Sequence, residues 1–66
     1  MISARIKELR VEKKISQAEL AKAIGYGHAI ISFWERGEKK PSSDAIIALA
    51  KFFDVTTDYL LGLSDN

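Results

Sequence analysis

The chain has 66 residues, 47% of them apolar and 29% charged, with a net charge of +1. That length allows one small domain with a modest core, close to the lower limit for folding alone. It contains no cysteine, which rules out a disulfide and a thiolate metal site, and its apolar runs fall far short of the roughly 20 residues that span a bilayer.

The opening residues, MISARIKELR, lack the apolar core of a signal peptide, so a reducing, cytoplasmic setting is expected. Charge is unevenly distributed. Residues 1–40 carry nine Lys/Arg against five Asp/Glu, whereas residues 41–66 carry Lys51 against Asp44, Asp54, Asp58 and Asp65. A basic front and an acidic rear suit an oriented approach to a polyanion.

Ile2, Ile6, Leu9 and Lys13 recur at helical spacing, with Arg5, Lys7 and Glu8 turned outward. The spacing predicts a helix over residues 2–13, followed by a turn through Lys14 and Ile15. Ser16-Gln17-Ala18-Glu19 is a capping box: the Ser16 hydroxyl can accept from the Glu19 amide while the Glu19 carboxylate reaches back to the Ser16 amide. Ile15 and Leu20 are placed to form the accompanying hydrophobic staple. This second helix covers 17–24, with Leu20, Ala21 and Ile24 on its apolar face, and it ends at Gly25, which tolerates a left-handed cap.

Gly27 can cap a third helix over 28–35, with Ile31 and Trp34 on its inner face and Ile30 beside them. The loop GEKKP follows. Ser42 or Ser43 caps a fourth helix over 43–53, whose inner stripe is Ile46, Leu49, Ala50 and Phe53; Asp54 stands where Gly would be easier. Thr56 caps a short fifth helix over 57–61, closed by Gly62, with a tail over 62–66. No stretch alternates with period two. The reading is an all-α, five-helix domain spanning residues 1–66.

Only Gly25-Tyr26-Gly27 separates the second and third helices, so they must cross steeply and pack closely. A residue larger than Ala21 would push them apart. Leu20, Ile24, Ile31 and Trp34 can fill the angle, which leaves His28, Ala29, Ser32 and Phe33 pointing away from the domain. A helix held from behind in this way fits the major groove of B-DNA, about 12 Å wide.

With IKELR, SQAELA, Gly25, Ile31-Ser32, WERG, the K-P-S entry to the fourth helix and the closing VTTDYLL in order, the chain resembles the phage repressor/Cro-type (xenobiotic-response-element-type) helix-turn-helix domain, from about Ile2 to Leu61. That resemblance implies a lambda-repressor-like fold and sets roles for individual residues. His28, Ala29 and Phe33 match positions that face base edges, and Ser32, between them, is a candidate for a base or a phosphate. Gln17 matches a residue that binds a phosphate and braces the start of the third helix. Gly37, Lys39 and Lys40 match a phosphate-holding loop, and Lys13 is a further phosphate candidate. Arg10 and Glu35 match a largely buried ion pair between the first and third helices. Family members often carry Ser or Thr at the position of Gly27, and polar residues at those of Ala29 and Phe33. Here Ala29 and Phe33 suit thymine methyl groups, which shifts readout toward apolar contact and DNA shape.

Other readings of these residues remain open at this level. His28 is either a base or phosphate contact or a solvated helix start. Phe33 is a base contact, a cover for Trp34 or Tyr26, or part of a protein interface. The lysines are phosphate contacts or solvated charges. A lone His with no Cys offers neither a metal site nor a nucleophile with its partner, so no enzyme, metal or cofactor is expected. The leading expectation is a prokaryotic or phage-encoded, sequence-specific regulator of transcription, a repressor that binds a palindrome on double-stranded DNA as a homodimer. Leu60, Leu61 and Leu63 are candidates for the dimer contact. The alternative is a protein–protein interaction module that kept this fold and lost its DNA surface.

Overall fold

The computed structural model describes residues 1–65, in which five helices and no strand occur: α1 (Ile2–Glu12), α2 (Gln17–Ile24), α3 (His28–Arg36), α4 (Ser43–Phe53) and α5 (Thr57–Leu61). Four of the five begin at a side-chain or glycine cap that is local in sequence. Ser16 and Glu19 form the reciprocal pair, with Ser16 N–H donating to Glu19 Oε1 at 2.7 Å and Glu19 N–H to Ser16 Oγ at 3.0 Å. Ser42, rather than Ser43, caps α4 by accepting from the Ala45 amide at 3.2 Å. Thr56 caps α5 through the Tyr59 amide at 3.0 Å. Gly27 caps α3 with extended backbone and no side-chain acceptor.

Two ends differ by one residue from expectation. α1 stops at Glu12, because Lys14 turns left-handed at φ 59° and cannot continue the helix. α3 runs on to Arg36 before Gly37 ends it.

The core is Ile6, Leu20, Ala21, Ile31, Trp34, Ala45, Leu49, Ala50 and Leu60, drawn from all five helices. Ile6, Leu20, Ile31, Leu49 and Leu60 are sealed from solvent; burying a side chain of this size contributes about 1.5–3 kcal/mol of transfer free energy. Ile24, Ile30, Ile46 and Phe53 pack around this centre and are only partly buried. Ala45, absent from the expected stripe of α4, is fully buried.

Two expectations are corrected. Arg5 does not face solvent: its guanidinium carbon lies 4.0 Å from the centre of the Tyr59 ring, and its Nη1 is buried without a hydrogen-bond partner. α1 packs on α5, so the face at position 5 meets Tyr59 once the chain has closed. Leu60 is core and cannot serve as a dimer contact, whereas Leu61 and Leu63 are exposed. Among the described residues, no helix is long and apolar enough to cross a membrane.

Candidate nucleic-acid interface

The geometry of α3 is set first by the turn before it. Gly25 adopts φ 81°, a left-handed conformation that L residues with a Cβ occupy at a cost of about 1–2 kcal/mol. The Tyr26 amide then donates back to the Ala21 carbonyl at 2.9 Å, closing the end of α2. Tyr26 emerges beside α3, and its ring meets Trp34 edge-on, with centroids 5.3 Å apart at 64°. Ile31 and Trp34 are buried on the same side of α3. The helix is therefore anchored at its back by aliphatic and aromatic packing.

Its far end is anchored by charge. Glu35 Oε2 accepts from Arg10 Nε at 2.6 Å, and Glu35 Oε1 accepts from Arg10 Nη2 at 3.1 Å. Arg10 Nη1 also donates to the Ile15 carbonyl at 3.0 Å, tying in the α1–α2 turn. The side chains are 14% (Arg10) and 4% (Glu35) exposed. The hydrogen bond to Glu35 raises the Arg10 pKa above its ordinary value; burial opposes this and the Glu35 charge adds to it.

Gln17 joins the same carboxylate, donating from Nε2 to Glu35 Oε1 at 3.1 Å. It therefore braces the last turn of α3, and not its start as the resemblance implied. A nearly buried carboxylate has several lone pairs to satisfy, and Gln17 supplies a donor that Arg10 alone does not.

On the opposite side, His28 and Ala29 are exposed, and Ser32 and Phe33 are half-buried. Tyr26 and Trp34 pair with each other, and Phe33 meets cations. Its ring is flanked by two cations: the Arg36 guanidinium carbon lies 5.1 Å from the ring centroid and Lys39 Nζ lies 4.9 Å from it. The loop after α3 folds back because the Glu38 amide donates to the Phe33 carbonyl at 2.9 Å and the Lys39 amide reaches it at 3.4 Å. The Gly37 amide donates to the Trp34 carbonyl at 3.1 Å with φ 75°. These amides are committed to ending the helix, so the loop presents side chains more than backbone donors. Lys40 is exposed. Lys13 Nζ lies 5.4 Å from the centre of the Phe52 ring on α4.

Arg36 and Glu38 belong to this surface and were not among the candidates read from sequence. Arg36 Nε and Nη2 donate to Glu38 Oε2 and Oε1 at 3.0 and 3.1 Å, and Arg36 Nη1 donates to Ser32 Oγ. The pairing raises the Arg36 pKa and lowers that of Glu38, the hydrogen bonds being the larger cause on each side. The signal was present: Ser32 and Arg36 are four residues apart, which places them on one face of a helix. Among the described residues, no group of three or more His, Cys, Asp or Glu could hold a metal ion.

A short helix pair joined by a tight glycine turn, with the second helix clamped behind and His28, Ala29, Ser32 and Phe33 in front, defines a helix-turn-helix domain. The chain belongs to the helix-turn-helix family, whose profile matches residues 6–60. It is 36% identical over its full length to the uncharacterized HTH-type transcriptional regulator YobD of Bacillus subtilis, covering 59% of that protein. It is 39% identical to the repressor protein C2 of Salmonella phage P22 over 92% of this chain and 28% of the repressor. The chain thus spans only part of the length of these relatives. Its fold matches the P22 c2 repressor in complex with a synthetic operator with a TM-score of 0.90 and 38% identity, covering 97% of both chains.

Proposed function

We propose that residues 1–66 act as one DNA-binding domain of a transcription regulator, a repressor, that places α3 in the major groove of a palindromic operator. The observation that carries this reading is the two-sided character of α3. Its back is fixed by Trp34 on Tyr26 and by Glu35 on Arg10 and Gln17, while His28, Ala29, Ser32 and Phe33 remain on its other side. The close match to a repressor bound to its operator supports it.

In this reading His28, Ala29, Ser32 and Phe33 meet base edges. Gln17, Lys39, Lys40 and Lys13 meet phosphates, and Gly37 allows the loop to approach them. Phosphate contacts supply most of the affinity and its salt dependence, and α3 selects the site. Two copies about 34 Å apart on one face of the duplex read the two half-sites. The surface suited to joining them is the end of α5. Leu61, Leu63 and Met1 are exposed there, and the Met1 nitrogen stands only 2.7 Å from where a Cβ on Gly62 would lie. The reaction is recognition without catalysis, in a cytoplasmic setting.

The test is selection of bound duplexes from random DNA. Enrichment of an inverted repeat with half-sites one helical turn apart is expected. Recovery of unselected sequence, or of nothing at low salt, would overturn the proposal.

A further inference from the structure

His28, Ser32 and Arg36 follow one another at four-residue spacing and lie along one line of α3, with Phe33 beside them. Arg36 closes that line. Its guanidinium is held on three sides: Ser32 Oγ accepts from Nη1, the Phe33 ring lies under the carbon, and the two carboxylate oxygens of Glu38 take Nε and Nη2. The Arg36 and Glu38 side chains are 51% and 53% exposed. This is a different situation from Arg10, whose pair is enclosed between helices. Arg36 is a surface cation whose fork is filled by an anion from its own chain.

A guanidinium fork donates to the two oxygens of a carboxylate and to the two free oxygens of a phosphodiester with the same geometry. Glu38 and a DNA phosphate therefore compete for the same N–H donors. An exposed pair of this kind is weak by itself. A duplex offers several phosphates at once and can displace it. When Glu38 leaves, Ser32 and Phe33 still hold the other edge and the face of the guanidinium, so the fork stays aimed outward.

We propose that Arg36 is a phosphate-binding residue of the α3 surface and that Glu38 is its internal latch, a carboxylate that occupies the guanidinium fork in the free protein and yields it to the DNA backbone. The inference rests on the reading of α3 as the DNA-facing helix. It makes Glu38 a brake on affinity for every duplex, acting through Arg36 and not through charge repulsion alone.

The experiment is a double-mutant cycle on duplex affinity, read by fluorescence anisotropy with a random-sequence duplex of about 20 base pairs across a salt series. Glu38→Gln is expected to tighten binding roughly 3- to 10-fold at low salt. Arg36→Met is expected to weaken it and to reduce the salt slope by about one. In the Arg36→Met background the gain from Glu38→Gln should fall to the smaller part that charge repulsion supplies, and in the Arg36→Lys background, which keeps charge but loses the fork, it should lie between the two. Both positions are exposed, and unchanged thermal melting of each variant confirms that folding is not the cause. An equal gain with and without Arg36 would overturn the latch and leave a plain repulsion. No gain from Glu38→Gln would overturn it as well. Either result leaves the proposed function standing, whereas a wild-type chain that binds no duplex at low salt overturns both.

Discussion

Arg10 and Glu35 form a bidentate ion pair that joins α1 to α3, with Nε–Oε2 at 2.6 Å and Nη2–Oε1 at 3.1 Å. Arg10 and Glu35 are 25 residues apart in sequence, and the pair is shared by Gln17 from α2, so one carboxylate links three helices. Leaving either charge in place without the other strands it in a site with little water. Glu35→Ala is therefore expected to destabilise the domain by about 3–5 kcal/mol. Glu38→Ala, which removes only an exposed surface pair with Arg36, should leave the denaturation midpoint nearly unchanged. Urea titration of the two variants checks this, and equal midpoints would refute the role given to Glu35. The Arg10 pKa is raised, so the pair's contribution is complete below the ordinary guanidinium value and is lost only as pH rises past the folded value. No loss of this contribution is expected between neutral and mildly alkaline pH.

Lys14 occupies φ 59° in the turn after α1 without being Gly, Asn or Asp. The left-handed conformation costs an L residue about 1–2 kcal/mol, and glycine avoids that cost while losing some of the gain to its freer unfolded chain. Lys14→Gly should stabilise the domain by about 0.5–1 kcal/mol, a rise in Tm of a few degrees. Calorimetry that finds a lower Tm would show that the Lys14 side chain makes a compensating contribution.

In the proposed reading, the surface of α3 and the loop behind it divide the work of binding by chemistry. His28 is exposed at the first turn of α3, where a side chain can meet base edges, and Lys39 follows the helix beside Phe33. Lys39→Ala should weaken binding to all duplexes alike and lower the salt slope by about one. His28→Ala should change the ranking of duplexes, costing about 1–3 kcal/mol on the preferred site alone. Titrating both variants against a panel of sites separates the two effects, and parallel affinity losses across the panel would refute the division.

Leu60 and Leu63 lie three residues apart and have opposite environments, 0% and 75% exposed. Leu60→Ala should cost about 2–5 kcal/mol, because it opens a cavity in the centre of the domain. Leu63→Asp should leave folding intact and weaken self-association on a palindromic duplex. Melting curves and sedimentation on and off DNA read the two outcomes. Unchanged cooperativity on the palindrome after Leu63→Asp would remove the end of α5 from the dimer surface.

The sequence by itself determined the five helices and nearly all their ends, because the signals that start and stop a helix act over three or four residues. Ser16 with Glu19, Gly25, Ser42 and Thr56 each bond to an amide or permit a dihedral within their own turn, whatever the rest of the chain does. It also determined that Ile31 and Trp34 face inward, since periodicity is a local property. What only the tertiary structure decided is the partner of each long or ambiguous side chain. Arg5 lies on Tyr59, Gln17 turns to Glu35, Leu60 is enclosed while Leu61 is not, and the Phe33 ring meets Arg36 and Lys39. A flexible side chain reaches whatever the closed chain brings within a few ångströms, and that proximity is set by how helices distant in sequence cross and how a loop folds back.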